Sequence, residues 1–143
     1  MSALARVVEA LEPSLREHAV SQPPAGELES GLDDAEHAFV IEAVREGYLL
    51  HHGDPRTLKG MDADLRLLAG DALYALGLER LAQLGDLEAV AELADLISLC
   101  AWAHAESRAE VVPALWGASV EVLAGRGGRG ARHAAAQIAT PAG

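Results

Sequence analysis

The stretch that decides the fold runs from Leu65 to Ala82 and reads LRLLAGDALYALGLERLA. It is rich in leucine and alanine and is typical of one long apolar helix. Gly70 and Asp71 stand side by side in its middle. Glycine in a helix interior costs roughly 0.5 to 1 kcal/mol relative to alanine, and a carboxylate on an apolar face needs a partner or water. This pair therefore requires an explanation from packing or from function.

On both sides of this stretch, apolar residues at spacings of three and four predict further helices, separated by segments rich in Gly and Pro. The first helix begins near Ala3 and is kinked or split at Pro13, because proline removes an interior hydrogen bond. A loop over 21–34 follows, with Asp33 or Asp34 as the N-cap of the second helix. The second to fifth helices are expected at about 34–51, 61–84, 86–106 and 108–124.

This pattern predicts an all-α protein, an antiparallel bundle of about five helices joined by short connections. We expect a single helical domain over 1–124, because 143 residues are too few for two well-separated domains. The fourth helix is apolar over a wide arc and is predicted to be the most buried element. Residues 125–143 are rich in Gly, Arg and Ala and are expected to form a flexible tail.

Charge and composition exclude several classes of function. The chain carries 22 acidic and 11 basic residues, a net charge of −11, which would repel the phosphates of a nucleic acid. Its only cysteine, Cys100, excludes an intrachain disulfide, and a reducing cytoplasm fits that usage. The longest apolar run, 96–105, is about half of the roughly 20 residues that a bilayer crossing needs. We therefore expect a cytoplasmic protein without a transmembrane segment or a nucleic-acid partner.

The polar residues form no recognisable catalytic or metal-binding constellation. Asp64 and Asp71 are seven positions apart, roughly 10 Å along one helix face, which is too far for both to ligate one ion. The adjacent His51 and His52 point in different directions on a helix, so they face one metal only if the turn reorients one of them. Cys100 lies among apolar neighbours and is expected to behave as a small apolar residue.

The segment 65–82 resembles LLAGDxLxxxxxxLLA, which follows the first aspartate-rich region of the all-helical trans-polyprenyl diphosphate synthases. Upstream, EAVREGYLLHHGD (42–54) occupies the place where those enzymes carry a helix ending in His-Asp-Asp. The resemblance covers about 42–106. The chain departs from the catalytic members because HHGDPRTLKG contains one aspartate, Asp54, and no second aspartate-rich motif follows. Ionising an allylic diphosphate requires several carboxylates that hold metal ions.

The chain is thus more similar to the short, noncatalytic component of heterodimeric hexaprenyl and heptaprenyl diphosphate synthases. That resemblance implies a subunit that pairs with a larger catalytic subunit and helps to shape an apolar cleft for an isoprenoid chain. It implies no cofactor for the chain alone, and Mg²⁺ only in complex with the catalytic partner. The residues implied for helix pairing or the cleft are Gly70, Asp71 and Tyr74; those implied, more weakly, for substrate binding are Asp54, Arg56, Lys59 and Asp64.

Two alternatives stay open. The first is a small helical adaptor or lipid-binding protein that retains only the fold. The second is a complete small prenyltransferase that works as a homo-oligomer. In each case an aromatic-poor chain with a broadly apolar fourth helix needs additional cover, so we expect at least a dimer, formed with itself or with a larger subunit.

Overall fold

The computed structural model describes residues 2–26, 28 and 31–139, and within these ranges the chain is helical and contains no β-strand. The predicted all-α fold is confirmed. The chain divides into two compact units, residues 1–80 and 81–143. The helices are α1 (Ala3–Ala10), α2 (Pro13–Arg16), α3 (Ala35–His52), α4 (Ala63–Gln83), α5 (Leu87–Ala105), α6 (Val112–Leu123) and α7 (Gly130–Ala139). The estimate of about five helices is low because the first splits and α7 lies in the predicted tail.

Pro13 divides the first helical segment into two, as one of the two predicted outcomes had it. Leu11 and Glu12 both adopt extended backbone conformations between α1 and α2, and Pro13 is the first residue of α2. Proline suits this position because the first turn leaves its N–H groups without intrahelical partners. Two extended residues thus separate the short helices, and we call this break the α1–α2 corner.

Local capping signals set the limits of α3. The Asp34 side chain accepts a hydrogen bond from the Glu36 N–H at 3.1 Å, which confirms Asp34 as the N-cap. The hydrogen bond between Asp34 and the His37 ring lowers the pKa of the Asp34 carboxyl. At the other end, Gly53 donates its N–H to the Leu49 carbonyl at 2.8 Å.

In the first unit, α3 is the most enclosed helix because it packs against both α1 and α4. It packs against α1 on one side. The start of α3 contacts the end of α4, and its end contacts the start of α4, so the two helices run antiparallel. The contacting pairs are Glu36 with Arg80, Gly47 with Gly70, and 49–53 with Arg66. The core side chains on α3 include Phe39, Val40, Ile41, Ala43, Val44 and Leu50.

In the second unit, α5, α6 and α7 each pack against the other two. Asp86 caps α5 by accepting the Ala89 N–H at 3.1 Å. The buried side chains of α5 form one stripe, consisting of Ala89, Leu93, Leu96, Cys100 and Ala103, whereas Leu87 is 70% exposed. The prediction that this helix is the most buried element is wrong, because α3 is the helix covered from several sides. A 3₁₀ turn over Ala109–Val111 precedes α6.

The stretch expected to be a flexible tail contains α7. Its start is held by Glu92 of α5, whose carboxylate accepts hydrogen bonds from the Ser119 hydroxyl at 2.6 Å and the Ala131 N–H at 2.9 Å. A carboxylate is favourable at a helix N-terminus, where N–H groups are free to donate. Gly130 has φ of +89°, and a Cβ there would overlap the Glu92 carboxylate. The glycines of this stretch thus allow a tight turn into a packed helix.

Candidate functional site

The glycine of the opening stretch lies where α4 crosses α3. A Cβ on Gly70 would overlap the His51 ring and would lie 3.1 Å from the Gly47 carbonyl oxygen. A Cβ on Gly47 would lie 2.9 Å from the Gly70 oxygen and 2.8 Å from Tyr74 Cδ1. Two helical turns further along, a Cβ on Gly77 would lie 2.7 Å from Val44 Cγ2. These glycines let the two backbones approach more closely than any side chain would permit.

Asp71 faces the outside of the same crossing. Its side chain is 69% exposed, and its Oδ1 lies 3.1 Å from His51 Nε2. The same His51 nitrogen lies 3.3 Å from the Leu67 carbonyl oxygen, and the ring stands 5.1 Å from that of Tyr74. Gly70 and Tyr74 therefore contribute to the pairing of α3 with α4 inside this unit, while Asp71 borders it at the surface.

Arg56, implied as a substrate-binding residue, is instead held in a buried network. Its Nε donates to Glu46 Oε1 at 3.1 Å, and its backbone N–H donates to Glu46 Oε2 at 2.8 Å. Thr57 adds its N–H and hydroxyl to the same Oε2, each at 2.7 Å. The Glu46 side chain is fully buried and the Arg56 side chain is 12% exposed. The network anchors the turn after α3 to that helix.

A second buried acid, Glu42, lies one helical turn before Glu46. Its Oε1 is 3.5 Å from Arg56 Nη1, so two carboxylates flank one guanidinium. A Cβ on Gly26 would overlap the Glu42 carboxylate, which places the preceding loop directly against it. Neither acid is among the residues predicted from the sequence. Their signal is the spacing of two glutamates by four positions on an otherwise apolar helix.

Asp54 and Lys59 line one small cleft of about 230 Å³, together with Arg66. Arg66 caps the C-terminus of α3. Its Nε donates to the Leu50 carbonyl at 3.3 Å, and its Nη2 contacts the carbonyls of Leu49 and Gly53. Cationic groups are favourable at such a C-terminus. Asp64 is exposed in the first turn of α4 and lines neither this cleft nor the groove described next.

An apolar groove of about 500 Å³ lies between the α1–α2 corner and α4. We call it the α4 groove. Its walls are Ala10, Leu11, Glu12, Ser14 and Leu15 on one side and Leu65, Leu68, Ala72, Ala75, Leu76 and Glu79 on the other. Leu68, on the α4 wall, is 66% exposed. The groove is not predicted from the sequence. Its signal there is Pro13, which begins α2 and so makes the α1–α2 corner that forms one wall.

Within the part of the chain that the structure describes, no three His, Cys, Asp or Glu side chains are grouped so as to hold a metal ion. Asp54 and Asp64 are both exposed, and Asp64 does not line the cleft to which Asp54 contributes. Cys100 is buried in α5. Among the described helices, none has the length and apolar character that crossing a membrane requires.

Comparison of the chain with models of known protein families gives no match, and comparisons with curated proteins and with solved structures give none either.

Proposed function

We propose that this chain is a noncatalytic helical subunit similar to the short component of heteromeric polyprenyl diphosphate synthases. It pairs with a larger catalytic subunit and contributes part of an apolar cleft for a prenyl chain. We place this pairing in the cytoplasm, which the single cysteine favours. The observation that carries the proposal is the α4 groove, because it leaves apolar side chains uncovered on the helix that bears the Ala69-Gly70-Asp71 resemblance.

The dimensions and lining of the groove support this role. Its volume of about 500 Å³ falls within the range of roughly 300 to 1,000 Å³ that is typical of ligand pockets. Leucine and alanine side chains supply most of its walls, and such surfaces are removed from water by a partner or an apolar ligand. The groove is therefore suited to contacts with apolar chains or helices.

The noncatalytic part of the proposal rests on the residues around 51–60. This segment has a single aspartate, Asp54, where the resemblance implies an aspartate-rich motif. The guanidinium of Arg56 is engaged by Glu46 and Glu42 rather than presented to a diphosphate. In this proposal Mg²⁺ and the diphosphates are held by the larger subunit.

The test is to purify the tagged chain from its native host, identify what accompanies it, and assay both fractions. We expect a larger prenyl synthase subunit in the complex. We expect condensation of isopentenyl diphosphate with an allylic diphosphate when both subunits are present and none above background from the chain alone. Turnover by the chain alone would contradict the noncatalytic assignment. A complex that lacks any synthase subunit, with apolar ligands bound by the chain itself, would instead support the lipid-binding alternative.

A further inference from the structure

The α4 wall of the groove has the residue spacing of a helix-packing surface. Along α4 the lining positions are Leu65, Leu68, Ala72, Ala75 and Glu79, with Leu76 beside them, so successive steps are three or four residues. This spacing is the one that a neighbouring helix meets when two helices pack side by side. From the first to the last position the wall is about 21 Å long, or four helical turns. The small side chains at its centre allow close approach.

The charges at the groove favour a partner different from this chain. The two ionisable side chains that line it are both acidic, Glu12 on the α1–α2 wall and Glu79 on the α4 wall. An antiparallel pair of α4 helices centred between Ala72 and Ala75 would set Glu79 of each copy against Leu68 of the other. Burying a carboxylate against leucine is unfavourable, and each copy also carries a net charge of −11.

We propose that the α4 groove binds a basic amphipathic helix of the partner, about four turns long, whose leucine-sized side chains fill the groove while lysine or arginine side chains face Glu12 and Glu79. The inference rests on the proposed function, since it names the part of the larger subunit that would bind here. It follows the helix-in-groove mode of recognition, in which apolar anchors supply affinity and flanking charges select the partner.

A direct test uses designed peptides as probes. The first is a capped peptide of about 18 residues made of leucine and lysine, with leucines at spacings of three and four. The second permutes the same residues so that no apolar face forms, and the third replaces every lysine by glutamate. From fluorescence anisotropy we expect the first peptide to bind the full chain at least about tenfold more tightly than either of the others.

Matched variants show whether the groove is the site. Leu68→Asp should weaken binding of the basic peptide by about tenfold or more, whereas Leu87→Asp, at an equally exposed leucine of α5, should change it by less than about twofold. The double variant Glu12→Lys/Glu79→Lys should reverse the preference in favour of the acidic peptide. The control Glu88→Lys/Glu110→Lys makes the same change in net charge at exposed acids of residues 81–143 and should leave the preference as it is.

Several outcomes would overturn the inference. These are binding that ignores Leu68→Asp, equal effects of the two charge-reversal pairs, or equal affinity for the permuted peptide. A dimer in sedimentation that Leu68→Asp dissociates would show that a second copy occupies the groove instead. The proposed function is tested separately. If a synthase subunit still co-purifies with the Leu68→Asp variant, the proposed function stands, but the groove is not the binding surface. Circular dichroism of each variant verifies that it is folded.

Discussion

Replacing Gly70 with alanine tests whether α3 and α4 pair closely because this position lacks a side chain. Alanine raises the helix propensity of α4 by roughly 1 kcal/mol. The added Cβ would overlap the His51 ring and lie 3.1 Å from the Gly47 carbonyl oxygen. The His51 ring is partly exposed and is able to turn away, whereas a backbone oxygen in a packed helix moves only with the helix. Overpacking of this kind costs about 1 to 3 kcal/mol, so we expect a net destabilisation of about 1 kcal/mol.

The matched control is Gly117→Ala in α6. Gly117 is also inside a helix, but a Cβ there would have no neighbouring atom within 4 Å. Only the propensity term remains at that position. We therefore expect Gly117→Ala to stabilise the protein by up to about 1 kcal/mol, the opposite sign from Gly70→Ala.

Urea unfolding measures both effects. Circular dichroism follows the helices of the whole chain, and fluorescence of Trp102 and Trp116 follows residues 81–143. We expect the circular dichroism midpoint to fall for Gly70→Ala and the fluorescence midpoint to rise for Gly117→Ala. If Gly70→Ala stabilises the chain as much as Gly117→Ala does, the close-approach explanation is wrong. The double variant Gly70→Ala/His51→Ala then shows which neighbour the added Cβ meets. If the double variant is more stable than the sum of the two single effects predicts, by more than about 0.5 kcal/mol, the clash is with the ring.

Three further predictions concern carboxylates in different surroundings. Glu46→Ala should cost about 3 to 5 kcal/mol in urea unfolding, because the Arg56 Nε–H and the backbone N–H groups of Arg56 and Thr57 all lose their acceptor, although Glu42 still flanks the guanidinium. Asp71→Ala should change the free energy of unfolding by less than about 0.5 kcal/mol, because the Asp71 carboxylate that pairs with His51 is mostly exposed to water. The hydrogen bond with His37 lowers the pKa of Asp34 below its ordinary value of 3.8, so its contribution to stability is complete above that pH and is lost as the pH falls through the lowered pKa. We therefore expect the stability difference between the parent and Asp34→Asn to shrink in thermal melts between about pH 5 and pH 2, and a pH-independent difference would contradict the assignment.

Helix limits were predictable wherever a local signal sets them. Asp34 and Asp86 cap the helices that follow them, and Gly53 ends α3, as the sequence patterns indicated. Each of these effects involves groups within a few residues of each other, so the sequence contains the whole interaction. Pro13 is another local signal, since it interrupts the first helix. Whether that helix is kinked or split in two depends on the extended backbone at 11–12.

The candidate site was predictable only in part, because its contacts join distant residues. The need for a special explanation at Gly70 is visible in the sequence, since glycine inside an apolar helix carries a local cost. That Gly47 faces it from α3 depends on the register of two helices. Arg56 is read from sequence as a residue available to a diphosphate, and nothing local to it reveals that Glu46, ten positions earlier, accepts its hydrogen bonds.

The C-terminal glycines show why composition alone does not decide local structure. A run such as GRGGRG is equally typical of a flexible tail and of a turn that needs positive φ, because the same lack of a Cβ permits both. What decides between them is Glu92, which lies 39 residues before Ala131 on α5 and accepts the N–H at the start of α7. Gly130 leaves the space that the carboxylate occupies, and Ser119 joins α6 to the same group. Gly130 is thus required by an acceptor on another helix. Local composition is read over short segments of sequence, and no such segment includes both Gly130 and Glu92.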